Sequence, residues 1–190
     1  MIHMAKPQIG EEEKQAVMEV LDSGIIAQGP RVKAFEEGFA EMCGTKFAVA
    51  TSSGTTALHV ALLAHGIGTG DEVITSAFTF IASANSILFT GARPVFVDID
   101  PKTFNLNPDL IEAAITPRTR CILPVHLGGN MADMDRIMDI AKRRNLAVVE
   151  DACQGVSAEW RGRKAATIGS LGCFSFHKLK NLSGGEAGAV

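Results

Sequence analysis

Six short apolar segments recur along the chain at a nearly constant interval. Successive segments start 22 to 28 residues apart, near Phe47, Glu72, Pro94, Thr119, Ala147 and Leu171. That interval accommodates one strand, one crossover helix and two short loops, which together form a βαβ unit. The segments PVFV (94–97) and AVVE (147–150) lack the alternation of a half-exposed strand, as expected for strands covered on both faces. The sequence therefore predicts an α/β fold, a three-layer α/β/α sandwich around a mostly parallel sheet.

The segments between these strands carry the signals of helices. Helices are predicted over Glu11–Ser23 and Pro30–Cys43, each followed by a glycine, and over residues 55–65. Asn107 is a candidate N-cap before a proline, and another helix is predicted over residues 131–144, with basic residues in its last turn. In such a sheet, ligands bind beyond the carboxyl ends of the strands, so residues at strand ends are the candidates for function.

Composition and spacing argue against several classes of partner. The 18 basic and 21 acidic residues of the 190-residue chain are dispersed, and no basic run offers a footprint for nucleic acid. No apolar stretch approaches the roughly 20 residues that a membrane helix needs. The cysteines form no CxxC pair, which favours reduced thiols and a cytoplasmic location, and they share no metal-ligand spacing with the histidines, so no metal is expected. The cysteines are Cys43, Cys121, Cys153 and Cys173, and the histidines are His3, His59, His65, His126 and His177.

Three strand ends carry polar motifs, each with more than one interpretation. Residues 52–56 (SSGTT) suit a phosphate at a helix N-terminus, although a simple helix cap is favoured for this motif alone. Glu150 and Asp151 could bind a metal, act as a base, pair with a protonated heterocycle, or cap a helix. Lys178 and Lys180 precede a glycine-rich loop, where two lysines are usually surface residues. A buried lysine near other cations, however, loses basicity and can attack a carbonyl.

The three motifs become specific only in combination. A phosphate seat, a carboxylate for a pyridine nitrogen and a lysine able to form a Schiff base together describe a site for pyridoxal 5'-phosphate. In such a site the carboxylate keeps the ring nitrogen protonated, so that the ring can accept electrons from the substrate. The lysine holds the cofactor covalently and then carries a proton.

Longer segments contain these motifs in a characteristic order. They include AVATSSGTTALHVALLAHGIGTGDEVI (48–74), FTFIASANSILFTGARPVFVDID (78–100), VVEDACQG (148–155) and FSFHKLKNLSGGEAG (174–188). In order and approximate spacing they resemble the DegT/DnrJ/EryC1/StrS family of pyridoxal-phosphate-dependent sugar aminotransferases, which has the aspartate-aminotransferase-like fold type I. The resemblance extends over nearly the whole chain.

The resemblance implies a role for each matching residue. Lys180 would carry the Schiff base, because the family's lysine directly precedes an asparagine, here Asn181, whereas Lys178 does not. The other residues would hold the cofactor: Gly54, Thr55 and Ser175 at its phosphate, Phe80 on the face of its ring, Asp151 at the ring nitrogen and Gln154 near the ring hydroxyl. Lys180 and Asp151 would be the catalytic residues.

The resemblance also implies an activity for the whole protein. Glutamate or glutamine would donate an amino group, and a keto sugar, expected to be a nucleotide-linked 3- or 4-keto-6-deoxy sugar, would receive it. Residues 1–190 would hold the N-terminal segment and most of the cofactor-binding large domain, without the family's C-terminal small domain, and the full-length protein would be a homodimer. Residues 187–190 resemble the start of a strand, which we expect to remain unpaired in a chain that is a fragment.

Three other interpretations compete with this one. A branch of the family has histidine in place of the lysine and dehydrates sugars; Lys180 argues against that branch, although His177 is nearby. A truncated chain could also be a non-catalytic remnant or pairing partner, and a matching C-terminal reading frame in the surrounding DNA would discriminate between the two. Asp98 and Asp100 superficially match the start of haloacid-dehalogenase-type phosphatases, but Thr103 is one position too distant, which favours a solvated turn.

Overall fold

The computed structural model describes residues 6–190 of the chain, and helices and strands alternate over residues 50–151. The α-helices are α1 (Glu11–Ser23), α2 (Pro30–Cys43), α3 (Gly54–Ala64), α4 (Ala82–Phe89), α5 (Pro108–Ala114) and α6 (Met134–Arg144). The strands are β1 (Ala50–Thr51), β2 (Glu72–Ser76), β3 (Arg93–Val97), β4 (Thr119–Leu123), β5 (Ala147–Asp151), β6 (Glu159–Trp160), β7 (Arg163–Lys164), β8 (Leu171–Ser175) and β9 (Gly188–Ala189). His3 lies outside the described residues.

Seven of these strands form one sheet, in the order β1-β9-β8-β5-β4-β2-β3. The neighbours β8, β5, β4, β2 and β3 are parallel, as the spacing of the apolar segments predicts, and β9 runs antiparallel to both β8 and β1. Strands β6 and β7 form a separate hairpin. The prediction of a mostly parallel sheet is confirmed.

Alternate side chains of the strands pack into two separate core layers. Val73 and Val149 pack with residues of α3 and α4 on one face of the sheet. Their neighbours Ile74 and Val148 pack with residues of α2, α5 and α6 on the other face. Because helices cover both faces, the strands are apolar without alternation. The predicted three-layer α/β/α sandwich is therefore confirmed.

Local sequence signals account for most of the helix ends. Gly24 and Gly44 follow α1 and α2 in the left-handed conformation, with φ of 69° and 74°. The Asn107 side chain caps α5 by accepting a hydrogen bond from the Asp109 N–H at 3.0 Å. Within residues 6–190, no helix is both long enough and apolar enough to cross a bilayer.

Three elements differ from the predictions. The segment that starts near Phe47 forms only the two-residue strand β1, and Phe47 itself is exposed. Helix α6 begins at Met134 instead of residue 131, because the Asp133 side chain caps it by accepting from the Arg136 N–H at 3.2 Å. Helix α4 was not predicted; its buried face includes the serines Ser83 and Ser86, which an apolar periodicity does not reveal.

The last strand is paired on both sides, so the expectation of an unpaired strand was wrong. Ala189 of β9 lies opposite Ala50 of β1 and Phe174 of β8. The chain reverses after Lys180 and inserts β9 between two strands, so that it does not need a later strand as a partner. A Cβ added at Gly188 would lie 2.4 Å from the Ser53 carbonyl oxygen, so β9 also packs tightly beneath the start of α3.

Candidate active site

The carboxyl ends of β5 and β8 meet the N-terminus of α3 around a cavity of about 270 Å³. Lys180 lines this cavity, whereas Lys178 does not line it and is exposed. The other residues assigned to the cofactor from the sequence also line it: Gly54, Thr55, Phe80, Asp151, Gln154 and Ser175. The structure therefore brings all the predicted site residues together and separates the two candidate lysines.

The N-terminus of α3 forms one wall of the cavity. The Ser53 side chain accepts a hydrogen bond from the Thr56 N–H at 3.2 Å, and Thr56 Oγ1 accepts one from the Ser53 N–H at 2.9 Å, which is a reciprocal cap. The capping interpretation of residues 52–56 thus applies to Ser53 and Thr56. Gly54 and Thr55 line the cavity, and their N–H groups have no acceptor within the helix. This helix end favours an anion.

Close packing explains the glycine at the start of α3. A Cβ added at Gly54 would lie 2.7 Å from Ser175 Cβ and 2.8 Å from Cys153 Sγ. Ser175 is the last residue of β8, and Cys153 lies two residues beyond the end of β5. The helix end can therefore approach Ser175 and Cys153 this closely only because residue 54 has no side chain.

Asp151 is the buried carboxylate of the cavity. It is the last residue of β5 and is 5% exposed. Its Oδ1 accepts a hydrogen bond from the Cys153 N–H at 3.1 Å, and its Oδ2 accepts one from the Ser83 hydroxyl at 2.7 Å. Sequence analysis missed Ser83; the available signal was the cluster of small polar residues in ASANS (82–86).

Glu150 faces away from the cavity, because successive side chains of a strand point to opposite faces. Its carboxylate is fully buried and accepts hydrogen bonds from the N–H groups of Ala166 at 3.0 Å and Ile168 at 2.6 Å. The ring of His126, also fully buried, lies 2.9 Å from the same carboxylate. Of the two acidic residues in the motif, Asp151 alone lines the cavity, and Glu150 secures the loop after the β6–β7 hairpin.

Lys180 and Asp151 act electrostatically on the same thiol. The Lys180 ammonium lies over the Phe80 ring, 5.7 Å from its centroid, which is within the range of a cation–π contact. Burial raises the pKa of the Cys153 thiol well above its ordinary value, the charge of Asp151 raises it further, and the charge of Lys180 lowers it. An amine and a carboxylate therefore line the same small cavity.

Further side chains around the cavity were not predicted as site residues. His177 and Glu186 both line it, and His177 Nε2 lies 3.5 Å from Glu186 Oε1.

The predicted residue Gln154 is held by the turn at Leu127–Gly129, because its Oε1 accepts a hydrogen bond from the Gly128 N–H at 2.9 Å.

The alternative sites considered from the sequence have structural explanations. Asp98 Oδ1 and Asp100 Oδ1 accept hydrogen bonds from nearby backbone N–H groups, at 2.8 Å and 2.7 Å, as expected for a capped turn. In the described part of the chain, no group of three or more His, Cys, Asp or Glu side chains is arranged to hold a metal ion.

Comparisons with known proteins agree with the resemblance. The model of the DegT/DnrJ/EryC1/StrS aminotransferase family matches residues 7–190. GDP-perosamine synthase of Caulobacter vibrioides is 48% identical over 190 residues, which are 100% of this chain and 51% of that protein. The structure of S. venezuelae DesV in complex with a ketimine intermediate is 47% identical, with a TM-score of 0.92, and the match covers 94% of this chain and 48% of that chain. The PLP form of Spr1654 from Streptococcus pneumoniae is 34% identical, with a TM-score of 0.96 and coverage of 99% and 52%. The TM-scores confirm the expected fold, and the chain spans about half the length of the relatives it matches.

Proposed function

This chain belongs to the DegT/DnrJ/EryC1/StrS aminotransferase family, and we propose that the protein containing it transfers an amino group from glutamate or glutamine to a keto sugar, with pyridoxal 5'-phosphate as cofactor. One observation carries the proposal: a single cavity gathers a lysine amine, a buried carboxylate and an open helix N-terminus. These three groups match the amine, nitrogen and phosphate chemistry of that cofactor.

The residues present fit the cofactor at both of its ends. At one end, the N–H groups of Gly54 and Thr55 and the hydroxyls of Thr55 and Ser175 would bind the phosphate, because the tight approach at Gly54 brings the helix end and the end of β8 together. At the other end, Asp151 would accept a hydrogen bond from the protonated ring nitrogen. Phe80 would stack on the ring and Gln154 would lie near its hydroxyl. The bound cofactor supplies an electron sink for the bonds next to the transferred amine.

Lys180 would have two tasks. Its Nζ would hold the cofactor covalently and, once a substrate amine displaces it, would accept a proton from the substrate and return it. Its place beside Phe80, in the cavity that Asp151 also lines, supports both tasks.

The substrate, domain organisation and assembly are further parts of the proposal. The similarity to GDP-perosamine synthase supports a nucleotide-linked keto sugar as the acceptor. Residues 1–190 would form the N-terminal segment and most of the large domain, and the small domain would not be part of these residues. The full-length protein would be a homodimer, as the family resemblance implies. It would be cytoplasmic, which the four free thiols support.

Borohydride reduction of the full-length protein with its cofactor, followed by peptide mapping, tests the assignment. The reduced cofactor should be on Lys180, and Lys180→Ala should abolish both the label and transamination, since no neighbouring group replaces the covalent tether and the proton carrier. Lys178→Ala is the matched control, because Lys178 lies two residues away and outside the cavity lining. A label on Lys178, or full activity in Lys180→Ala, would contradict the proposal.

A further inference from the structure

Two hydroxyl groups form a chain that ends on Asp151. Thr79 Oγ1 lies 2.9 Å from Ser83 Oγ, and Ser83 Oγ lies 2.7 Å from Asp151 Oδ2. Thr79 lines the cavity, whereas Ser83 is fully buried in the first turn of α4. The chain thus joins a helix to the end of a strand that lies 68 residues further along the sequence.

The direction of these hydrogen bonds follows from the number of protons available. A carboxylate can only accept, so Ser83 must donate its single hydroxyl proton to Asp151. Having donated it, Ser83 can only accept from Thr79. The chain therefore runs from the Thr79 hydroxyl through the Ser83 hydroxyl to the carboxylate, and each bond polarises the next.

The carboxylate is held at both oxygens by different parts of the fold. Oδ2 is bound by Ser83 of α4, and Oδ1 by the Cys153 N–H of the turn after β5. Rotation of the carboxylate would break one of these bonds, and because Asp151 is buried, an unpaired acceptor there is costly. Ser83 therefore fixes the plane of the Asp151 side chain.

We propose that Ser83, supported by Thr79, is a positioning residue for Asp151, which it holds in the orientation that keeps a proton on the cofactor's ring nitrogen. This inference rests on the proposed function, in which Asp151 faces that nitrogen. Ser83 contacts no reacting atom and acts only through the carboxylate, and its loss is therefore expected to weaken the electron sink while the covalent bond to Lys180 still forms.

The test uses the full-length protein loaded with cofactor that is ¹⁵N-labelled at the ring nitrogen. The ¹⁵N chemical shift reports how far that nitrogen is protonated, independently of turnover. In Ser83→Ala the shift should move from the wild-type value towards that of Asp151→Asn, and kcat should fall by roughly 10- to 100-fold, as expected when a hydrogen bond to a charged group is lost. Ser83→Thr, which keeps the hydroxyl, should restore most of the wild-type shift.

Ser86→Ala is the matched control. Ser86 is fully buried on the same helix, and its hydroxyl donates to the Ser83 carbonyl oxygen at 2.9 Å and not to Asp151. This variant should keep the wild-type ¹⁵N shift. If Ser83→Ala fails to fold, Thr79→Val tests the inference in its place, because it removes the first donor of the chain from a partly exposed position. The ¹⁵N shift should then change in the same direction as expected for Ser83→Ala, but by less.

Two results would overturn the inference. One is a ¹⁵N shift in Ser83→Ala that moves no further than in Ser86→Ala, and the other is an unchanged shift in Thr79→Val when Ser83→Ala is unfolded. Borohydride trapping distinguishes a refuted role of Ser83 from a refuted proposed function. A label on Lys180 with an unchanged shift in the variants refutes only the role of Ser83, whereas absence of the label refutes the assignment of the site.

Discussion

Replacing Gly54 by alanine should damage the phosphate end of the site through a steric effect whose size follows from the structure. The new Cβ would lie 2.7 Å from Ser175 Cβ and 2.8 Å from Cys153 Sγ. Ordinary contacts between such atoms are roughly 3.5–4.0 Å long, so the neighbours would have to retreat by about 1 Å. Ser175 Cβ is bonded directly to the backbone of β8, so it can retreat only if the end of that strand moves. Forced overpacking of this kind costs about 1–3 kcal/mol.

Gly38→Ala provides the matched control for this substitution. Gly38 lies within α2 and is exposed, and an added Cβ would meet no atom within 4 Å. This variant should be stabilised by about 0.5–1 kcal/mol, because alanine is the better helix former. The difference between the two variants in free energy of unfolding isolates the steric effect at Gly54, which we expect to be about 1–3 kcal/mol.

Denaturant unfolding and cofactor titration of the full-length protein measure the two consequences. Gly54→Ala should lower the free energy of unfolding relative to Gly38→Ala. It should also weaken cofactor binding by roughly 10- to 100-fold, because a displaced helix end loses charge-assisted hydrogen bonds to the phosphate. Gly38→Ala should bind the cofactor like the wild type. Equal stability changes in the two variants, together with unchanged cofactor affinity, would refute the reasoning.

The remaining predictions concern the carboxylate, the helix end and a buried thiol. Asp151→Asn should keep the fold but lose most transamination activity, because an amide does not stabilise a protonated ring nitrogen as a carboxylate does; near-wild-type turnover would contradict this role. Thr55→Ala should weaken cofactor binding by about 1.5–3 kcal/mol in a titration. Thr56→Ala should instead mainly lower the free energy of unfolding, by about 0.5–2 kcal/mol, because Thr56 caps α3. The reverse pattern would place the phosphate elsewhere. Burial raises the pKa of the Cys121 thiol to about 12, above the ordinary 9.0. The stability that the buried neutral thiol contributes is therefore complete below pH 9 and is lost as the pH rises towards 12. Over this range the free energy of unfolding should fall less steeply in Cys121→Ala than in the wild type, and equal slopes would contradict the shift.

The sequence by itself determined the architecture and the residues of the proposed site. The interval between apolar segments predicted the parallel sheet, because each βαβ unit is a local stretch of chain with its own start and stop signals. Gly24, Gly44 and Asn107 marked helix boundaries through hydrogen bonds to residues only a few positions away. The resemblance over nearly the whole chain named seven of the residues that line the cavity, and Lys180 was separated from Lys178 by the asparagine that follows it.

Only the tertiary structure decided which of two neighbouring residues lines the cavity and which stabilises the fold. In the motif at the end of β5, strand alternation turns Asp151 into the cavity and Glu150 into the core. At the start of α3, Thr55 lines the cavity, while Thr56 completes the cap. Which residue of each pair lines the cavity depends on which side of the strand or helix faces the rest of the fold. Adjacent residues of the same chemical type give no local signal of that orientation.

The contacts that hold the site together were also beyond the reach of local patterns. Ser83 meets Asp151 across 68 residues, and β9 closes against β1 across more than a hundred. These contacts form only when the sheet assembles, because the free energy that stabilises them comes from burial and from hydrogen bonds between distant segments. The sequence specifies the groups of this site through local signals, and the packing of α3, α4 and β9 against the strand ends fixes how those groups face one another.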